Sequence, residues 1–382
     1  MTQPNQCTGC GACAAVCPVG AIRMDADRDG FCVPVTDLMR CMECGKCDKI
    51  CPVESDGQRN AGSERVYLAV AEDESLRENS SSGGAFSLLA ERTLNDGGCV
   101  FGCAMSDDCY GAGHICVETP GELWKLRGSK YVQSDTRKTY CQAREALRQG
   151  KQVLYTGTPC QIAGLKSYLG AEDTERLLTA DVICHGVPSP MVWKDYLQNL
   201  ERKYGAAAQT VCFRDKTDGW QIYSLVCRFA NGAIYRGNVM KDLYLRGFVE
   251  NLFLRPSCYS CRFKGKGHAA DITLGDFWGV KEACPELGGA RGVSLLISRT
   301  EKGEAALEAL EGCLVRRVPA TAALKHNPSY YEPARFNPFR DRAIGQIRLR
   351  GTRKTLPKYC GFGFAPRVRK KIASVAKKIQ TK

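Results

Sequence analysis

Two cysteine runs of the same spacing constrain this chain more than anything else in it. They are Cys7, Cys10, Cys13 and Cys17 followed by Pro18, and Cys41, Cys44, Cys47 and Cys51 followed by Pro52. Each reads C-x2-C-x2-C-x3-C-P. In runs of this form three thiolates at two-residue intervals wrap one [4Fe-4S] cube, and the fourth, held off by the proline, reaches the other cube. The spacing therefore assigns Cys7, Cys10, Cys13 and Cys51 to a first cluster. Cys41, Cys44, Cys47 and Cys17 are assigned to a second. Zinc sites favour CxxC pairs separated by a longer spacer, and dense disulfide frameworks belong to much shorter secreted chains. A segment built this way moves electrons one at a time.

Residues 1–56 read as a bacterial ferredoxin-like module, with Asp27-Arg28-Asp29-Gly30 as a turn between short extended segments. Cys32 in that insert breaks the pattern and is left out of the ligand set. Polar residues follow, and 57–65 read as a linker. From residue 66 strand-like and helix-like signals alternate. Strands are expected at 66–71, 100–104, 114–117, 153–156, 177–184, 272–274 and 293–297, with a hairpin near 220–235. Helices are expected at 85–95, 136–149, 161–169, 191–203, 240–252 and 301–310. Such alternation predicts an α+β chain, the ferredoxin-like module leading into a mixed α/β domain over 66–332. No G-x-G-x-x-G motif supports a standard dinucleotide-binding unit.

The net charge of +13 is uneven. Residues 333–382 hold 15 Lys and Arg against one acid, Asp341, and the rest of the chain sums to −1. A basic C-terminal tail over 333–382 is expected to be solvated or to meet an acidic partner or an anionic membrane surface. Nucleic acid is the least favoured partner, since no aromatic-plus-basic recognition motif accompanies the charge. No run approaches the ~20 apolar residues of a membrane span, and no signal peptide is visible before the first cluster motif, so none is expected. With 23 cysteines, an odd number and many in metal-ligand spacing, a reducing cytoplasm is the expected compartment.

Four further cysteines stand apart: Cys160 after a predicted strand, Cys184 after another, and Cys258 and Cys261 as a CxxC pair. Their spacing alone does not make a site, because free cysteines are common in cores. The blocks around them carry a resemblance. Gly128-Ser129-Lys130-Tyr131-Val132-Gln133-Ser134, Thr156-Gly157-Thr158-Pro159-Cys160-Gln161, Cys184-His185-Gly186, Phe213-Arg214-Asp215-Lys216 with Gly219-Trp220, and Leu274-Gly275-Asp276-Phe277-Trp278-Gly279 occur in this order. Together they resemble the beta subunit of coenzyme F420 hydrogenases and dehydrogenases, over roughly 66–324. The resemblance implies a domain holding FAD and one more [4Fe-4S] cluster, with Cys160, Cys184, Cys258 and Cys261 as ligands. It also implies that FAD lies against Ser81, Ser82, Gly83, Gly84, Lys130, Gln133, Ser134, Thr156, Gly157, Thr158, Asp276 and Trp278. Elementary chemistry is compatible with that set. Gly83-Gly84 at a helix start lets backbone N–H groups approach a pyrophosphate. Lys130 offers a charge, Gln133 and Asp276 offer hydrogen bonds, and Trp278 offers a stacking face.

The function expected from these parts is that of an iron–sulfur flavoprotein oxidoreductase. Electrons would run between an outside donor, the two ferredoxin-type clusters, the third cluster and FAD. Hydride would be exchanged with a small acceptor such as coenzyme F420, a nicotinamide or a biosynthetic intermediate. No protein acid or base is assigned, because hydride exchange at a flavin does not require one. The alternatives are a non-catalytic electron-relay subunit of a larger complex and a cluster-based redox sensor. The expected partner is a redox protein or subunit of ferredoxin, hydrogenase or dehydrogenase type, docking at an exposed first-cluster end or at the basic tail. Three cubes require about 12 iron atoms per chain.

Overall fold

Gly11 and Gly45 occupy equivalent places in the two cysteine runs, and both adopt the left-handed conformation (φ 84° and 66°) that starts the short helices Ala12–Val16 and Lys46–Lys49. A side chain is strained there, which is why glycine directly follows the second cysteine of both runs. The computed structural model describes residues 3–54, 63–136, 138–170, 172, 174–288 and 291–360. Between the two runs, β1 (Ile22–Ala26) and β2 (Cys32–Thr36) form an antiparallel hairpin that pairs Ile22 with Thr36 and Ala26 with Cys32. Its turn is held by the Asp27 carboxylate, which accepts from the N–H groups of Asp29 at 2.8 Å and Phe31 at 2.9 Å. Most of the expected linker lies outside the described residues, and Arg65 at its end already begins the next strand.

The second part of the chain is built on one large sheet. In chain order its strands are β3 (Arg65–Ala71), β4 (Cys99–Met105), β5 (Ala112–Val117), β6 (Ser134–Asp135), β7 (Val153–Gly157) and β8 (Leu177–Val182). A smaller sheet follows, β9 (Ala208–Asp215), β10 (Ser224–Phe229) and β11 (Ile234–Asn238), before β12 (Ile272–Asp276), β13 (Ser294–Ser298) and β14 (Cys313–Arg317) return to the large one. The spatial order is β14-β3-β13-β12-β8-β7-β4-β5-β6. Its middle, β12-β8-β7-β4, is parallel, and β13 and β5 pair antiparallel on either side. The parallel strands are nearly continuous apolar runs because helices cover both faces. On one face Leu89, Ala90 and Leu94 of the Ala85–Asn95 helix pack with Val100, Leu154 and Ala180. On the other, the Thr139–Arg148 and Pro159–Leu169 helices enclose Phe101, Tyr155, Ile162 and Leu165. That second core also contains Cys10 and Ala12, so the ferredoxin-like module shares a hydrophobic core with the domain that follows it.

The small sheet β11-β10-β9 packs with helices Pro190–Tyr204 and Leu243–Val249 around Trp193, Phe213, Tyr244 and Phe253. The segment read as a basic tail is different in its first part. Residues 340–360 are helical and bury Ala343, Ile344, Ile347 and Leu356 against this core, while Arg342, Arg348, Arg350, Arg353 and Lys354 stay in solvent. The helix breaks at Gly351 (φ 76°), and the Asp195 carboxylate restarts it by accepting from the Thr352 N–H and hydroxyl, both at 2.6 Å. Residues 361–382 lie outside the described residues. Among the described residues, no helix is long and apolar enough to cross a membrane.

Candidate functional site: a cavity beside two cysteine sets

The parallel strands β4, β7, β8 and β12 all end at the same edge of the sheet. In open α/β sheets ligands bind outside the carboxyl ends of such strands. Here Cys103 of β4, Thr156-Gly157-Thr158 at the end of β7, Ile183-Cys184 after β8 and Gly275-Asp276 with Trp278 at the end of β12 all line one cavity of about 550 Å³. Ser80–Ser82 and Gly84 close it on one side and Gly128–Ser134 on another. Of the residues expected to contact a cofactor, Gly83 alone is not on the wall. It packs instead against the sheet, where a β-carbon would lie 2.3 Å from the Ala69 carbonyl, and its N–H donates to Ser294 Oγ at 3.0 Å.

The wall is polar at one end and aromatic at the other. At the polar end, the Ala85–Asn95 helix starts at Gly84 (φ 96°) with no side-chain cap. Its first-turn N–H groups are therefore open to an anion. Ser81 and Ser129 join across the cavity rim at 3.1 Å. The aromatic end is formed by Tyr131, Tyr223, Phe248 and Trp278. Trp278 stacks on Trp220 with centroids 4.9 Å apart, and the Arg214 guanidinium lies 4.6 Å from the Tyr223 ring. Thr8 Oγ1 and Arg214 Nε are buried, border this cavity and have no hydrogen-bond partner among the described residues. A flat ring system with a polar, oxygen-rich extension fits such a wall, so the residues present are compatible with FAD.

Several expected contacts are partly committed elsewhere. The Asp276 carboxylate is ion-paired with Arg214 and accepts from Trp220 Nε1 at 3.2 Å. Gln133 accepts the Cys32 N–H at 2.9 Å and so faces the ferredoxin-like module. Lys130 Nζ donates to the Lys125 and Arg127 carbonyls at 3.0 and 2.7 Å, and burial brings its pKa down to about 8. Behind it His114 links Ser134 Oγ (2.7 Å) to the Thr156 carbonyl (2.9 Å), and burial holds it neutral with a pKa of about 4. Lys216, quoted in the resemblance without a role, ties the Ser82, Arg77 and Arg291 carbonyls together. Arg214, Tyr223, Phe248 and His114 were not among the expected contacts. Only Arg214 lay in a quoted block adjacent to that set.

Cys160, Cys184, Cys258 and Cys261 are brought together from four loop or helix positions. Cys160 lies in the first turn of the Pro159–Leu169 helix, within 3.2 Å of Thr158 Oγ1. Cys258 accepts the Val187 N–H at 3.3 Å, and Cys184 precedes that residue by one short turn. Lys264 binds the Cys184 carbonyl. Burial, then the neighbouring thiols, pushes the Cys258 pKa well above the usual thiol range, with Cys184, Cys160 and Cys261 each contributing. Cys160 rises to about 12 from burial, with Cys261 and Cys184 adding to it. Buried thiols of this kind ionise only when a cation offsets the loss of water. Cys160 and Cys184 also line the cavity.

The first ferredoxin set is equally close-knit. Cys13 is raised to about 12 by burial and by Cys7 and Cys51, and Cys10 is raised by burial with Cys160, Cys13 and Cys7 behind it. Cys17 accepts the Ala21 N–H at 3.2 Å. Among the described residues no three His, Cys, Asp or Glu side chains close tightly enough on one point to hold a single metal ion. A cube spreads its four ligands over separate corners. The first-cluster end is not an exposed docking face as expected. Cys7 and Cys10 are buried against the second domain, whereas Cys44 is exposed and Leu38, Met39 and Met42 project into solvent beside it. The reason is the shared core: Ala12 packs on the helices that cover the large sheet.

Comparisons with known proteins match two parts of the chain. Residues 6–55 match the 4Fe-4S dicluster domain. Residues 66–140 match "Coenzyme F420 hydrogenase/dehydrogenase, beta subunit N-term", and residues 150–317 match the C terminus of the same subunit. The chain is 24% identical over 335 residues to the coenzyme F420-dependent sulfite reductase of Methanocaldococcus jannaschii, covering 84% of this chain and 48% of that protein. It thus spans about half the length of that relative. A chain of the F420-reducing [NiFe] hydrogenase complex from Methanosarcina barkeri aligns with a TM-score of 0.46 and 17% identity, over 78% of this chain and 93% of that one. With a dicluster module ahead of both halves of the subunit, this chain is an iron–sulfur protein of the coenzyme F420 hydrogenase/dehydrogenase beta subunit family.

Proposed function

We propose that this chain passes electrons between [4Fe-4S] clusters and FAD and exchanges hydride with a small acceptor of the coenzyme F420 kind. The observation that carries the reading is that Cys160 and Cys184 line the same cavity as Ser81, Gly84, Lys130, Thr158 and Trp278. A cluster held there would stand beside the ring of a flavin held there. Bound FAD supplies the exchange between hydride transfer and single-electron transfer, and bound cubes supply the single-electron steps.

The protein's part is to bind, orient and shield. The open first turn of the Ala85–Asn95 helix and the Ser80–Ser82 loop would hold the pyrophosphate. Tyr223 and Trp278, whose rings both meet the Arg214 guanidinium held by Asp276, would form the aromatic wall for the ring. Lys130 retains its proton at neutral pH and supplies positive charge to the cavity floor. The ordered sets Cys41-Cys44-Cys47-Cys17, then Cys7-Cys10-Cys13-Cys51, then Cys160-Cys184-Cys258-Cys261 lead from an exposed rim to that cavity. A redox partner protein would meet the rim near Cys44, where Leu38, Met39 and Met42 provide an apolar contact surface. The reducing cytoplasm suits these free thiols.

Anaerobic reconstitution followed by iron, sulfide and flavin analysis tests the reading. About 12 iron atoms, one FAD per chain, and bleaching by reduced coenzyme F420 are expected. Iron without flavin would leave an electron-relay subunit as the function. Bleaching by NADH alone would leave a nicotinamide as the hydride carrier.

A further inference from the structure

Arg255 is buried at 2% exposure, yet its side chain makes no carboxylate pair among the described residues. Its Nε donates to the Cys7 carbonyl at 2.7 Å, and Nη1 to the Cys32 carbonyl at 3.0 Å and to Gln133 Oε1 at 3.4 Å. All three acceptors are neutral. The backbone of the same residue belongs to the third cysteine set. Its carbonyl accepts the Cys258 N–H at 3.0 Å, and its N–H donates to Val187, the residue whose own N–H reaches Cys258 Sγ. Phe31 covers the guanidinium at 5.5 Å. A β-carbon on Gly9 would lie 2.8 Å from Nη1, so the glycine between Cys7 and Cys10 makes room for it.

A guanidinium buried without a counter-charge is strongly unfavourable unless negative charge stands near it. Two thiolate-ligated cubes on either side would supply that charge. We propose that Arg255 is a positioning residue of the electron junction between the first and third clusters, joining the two ligand sets and biasing the shared electron toward the first. The inference rests on the third cluster of the proposed function. One electron leaves the first cluster and one arrives at the third, with no bond made or broken, no proton moved, and Arg255 charged throughout. The bias falls on the first site because the guanidinium, which carries the charge, sits on the Cys7 carbonyl of that ligand set at 2.7 Å, while only the neutral backbone of Arg255 belongs to the third.

The test uses the full chain reconstituted with iron and sulfide and poised with dithionite, its clusters read by redox titration with paramagnetic resonance. Arg255→Gln is expected to lower the first cluster's potential, reducing its equilibrium share of the electron about tenfold, which for one electron is about 59 mV. Arg255→Lys, which keeps the charge and loses the fork, is expected to stay near wild type in potential. Gln133→Glu provides a second route that leaves the arginine in place. It sets a carboxylate where the 3.4 Å contact is made and should lower the potential in the same direction. Unchanged potentials in Arg255→Gln and Gln133→Glu proteins that hold all three clusters would overturn the proposal. A wild-type protein with only about eight irons, the complement of two cubes, would overturn it by removing the third cluster beneath it. Iron analysis tells the two failures apart.

Discussion

Gly164 leaves Cys10 no spare room: a β-carbon on Gly164 would lie 3.0 Å from the Cys10 Sγ and 3.0 Å from the Tyr140 hydroxyl. Gly164 stands one turn beyond Cys160 on the same helix, so the first and third cysteine sets meet where this helix has no side chain. Gly164→Val is expected to push the ferredoxin-like module off the helix and cost about 1–3 kcal/mol of stability. Thermal melting would register that loss. Electron transfer between the first and third clusters should slow with the wider gap.

Asp276 was expected to bond a cofactor, yet its carboxylate serves Arg214 and Trp220. Arg214 is 4% exposed at its side chain. Asp276→Ala would leave that guanidinium buried and uncompensated, at a cost of about 3–5 kcal/mol. Melting of flavin-free protein should show the full loss, which separates a structural role from a cofactor contact. A variant that melts as wild type until FAD is added would reverse the assignment.

How much of this was legible beforehand follows from where the physical signal lies. The Ala85–Asn95 helix and the Val153–Gly157 strand stood out because burial on a single stripe or in a continuous run is written directly into residue order. The strand Cys313–Arg317 was missed because it is an edge strand whose Leu314, Arg316 and Arg317 are mostly in solvent or half-buried, so no apolar run marks it. The 340–360 helix was hidden by its charge: the arginines dominate composition, while the four apolar residues that seat it are spaced around them. The dicluster module over residues 6–55 was readable from cysteine spacing alone. That Cys7 and Cys10 face inward was not, because it depends on Arg255 and Thr136, distant in sequence, binding the Cys7 and Cys10 carbonyls.

Lys130 gives stability a pH dependence of known sign. Burial lowers its pKa from the ordinary 10.5 to about 8. Between those values the unfolded chain binds the proton and the folded chain does not. Stability therefore rises with pH across about 8 to 10.5 and is lowest where both states are charged. Lys130→Met removes the titration, so wild type should gain in melting temperature relative to this variant over that window. Lys216, also lowered to about 8 by burial, is present in both proteins and cancels. A gap that stays constant with pH would place the Lys130 ammonium in contact with water.

Removing one thiol from the third set should cost one cube and leave the others. Cys258 is suited to the test because it is half-buried, accepts the Val187 N–H at 3.3 Å, and belongs to neither ferredoxin-type run. A serine there keeps the shape but replaces the soft sulfur that iron prefers. Cys258→Ser is therefore expected to hold about eight irons where the wild type holds about 12, with the two ferredoxin-type signals intact. Cys32→Ser serves as the control, since its backbone docks the module while burial pushes its thiol up to about 11 without placing it in a ligand set. The control should keep the full iron complement. If Cys32→Ser loses iron and Cys258→Ser does not, the third cube is absent and the electron route ends at Cys10.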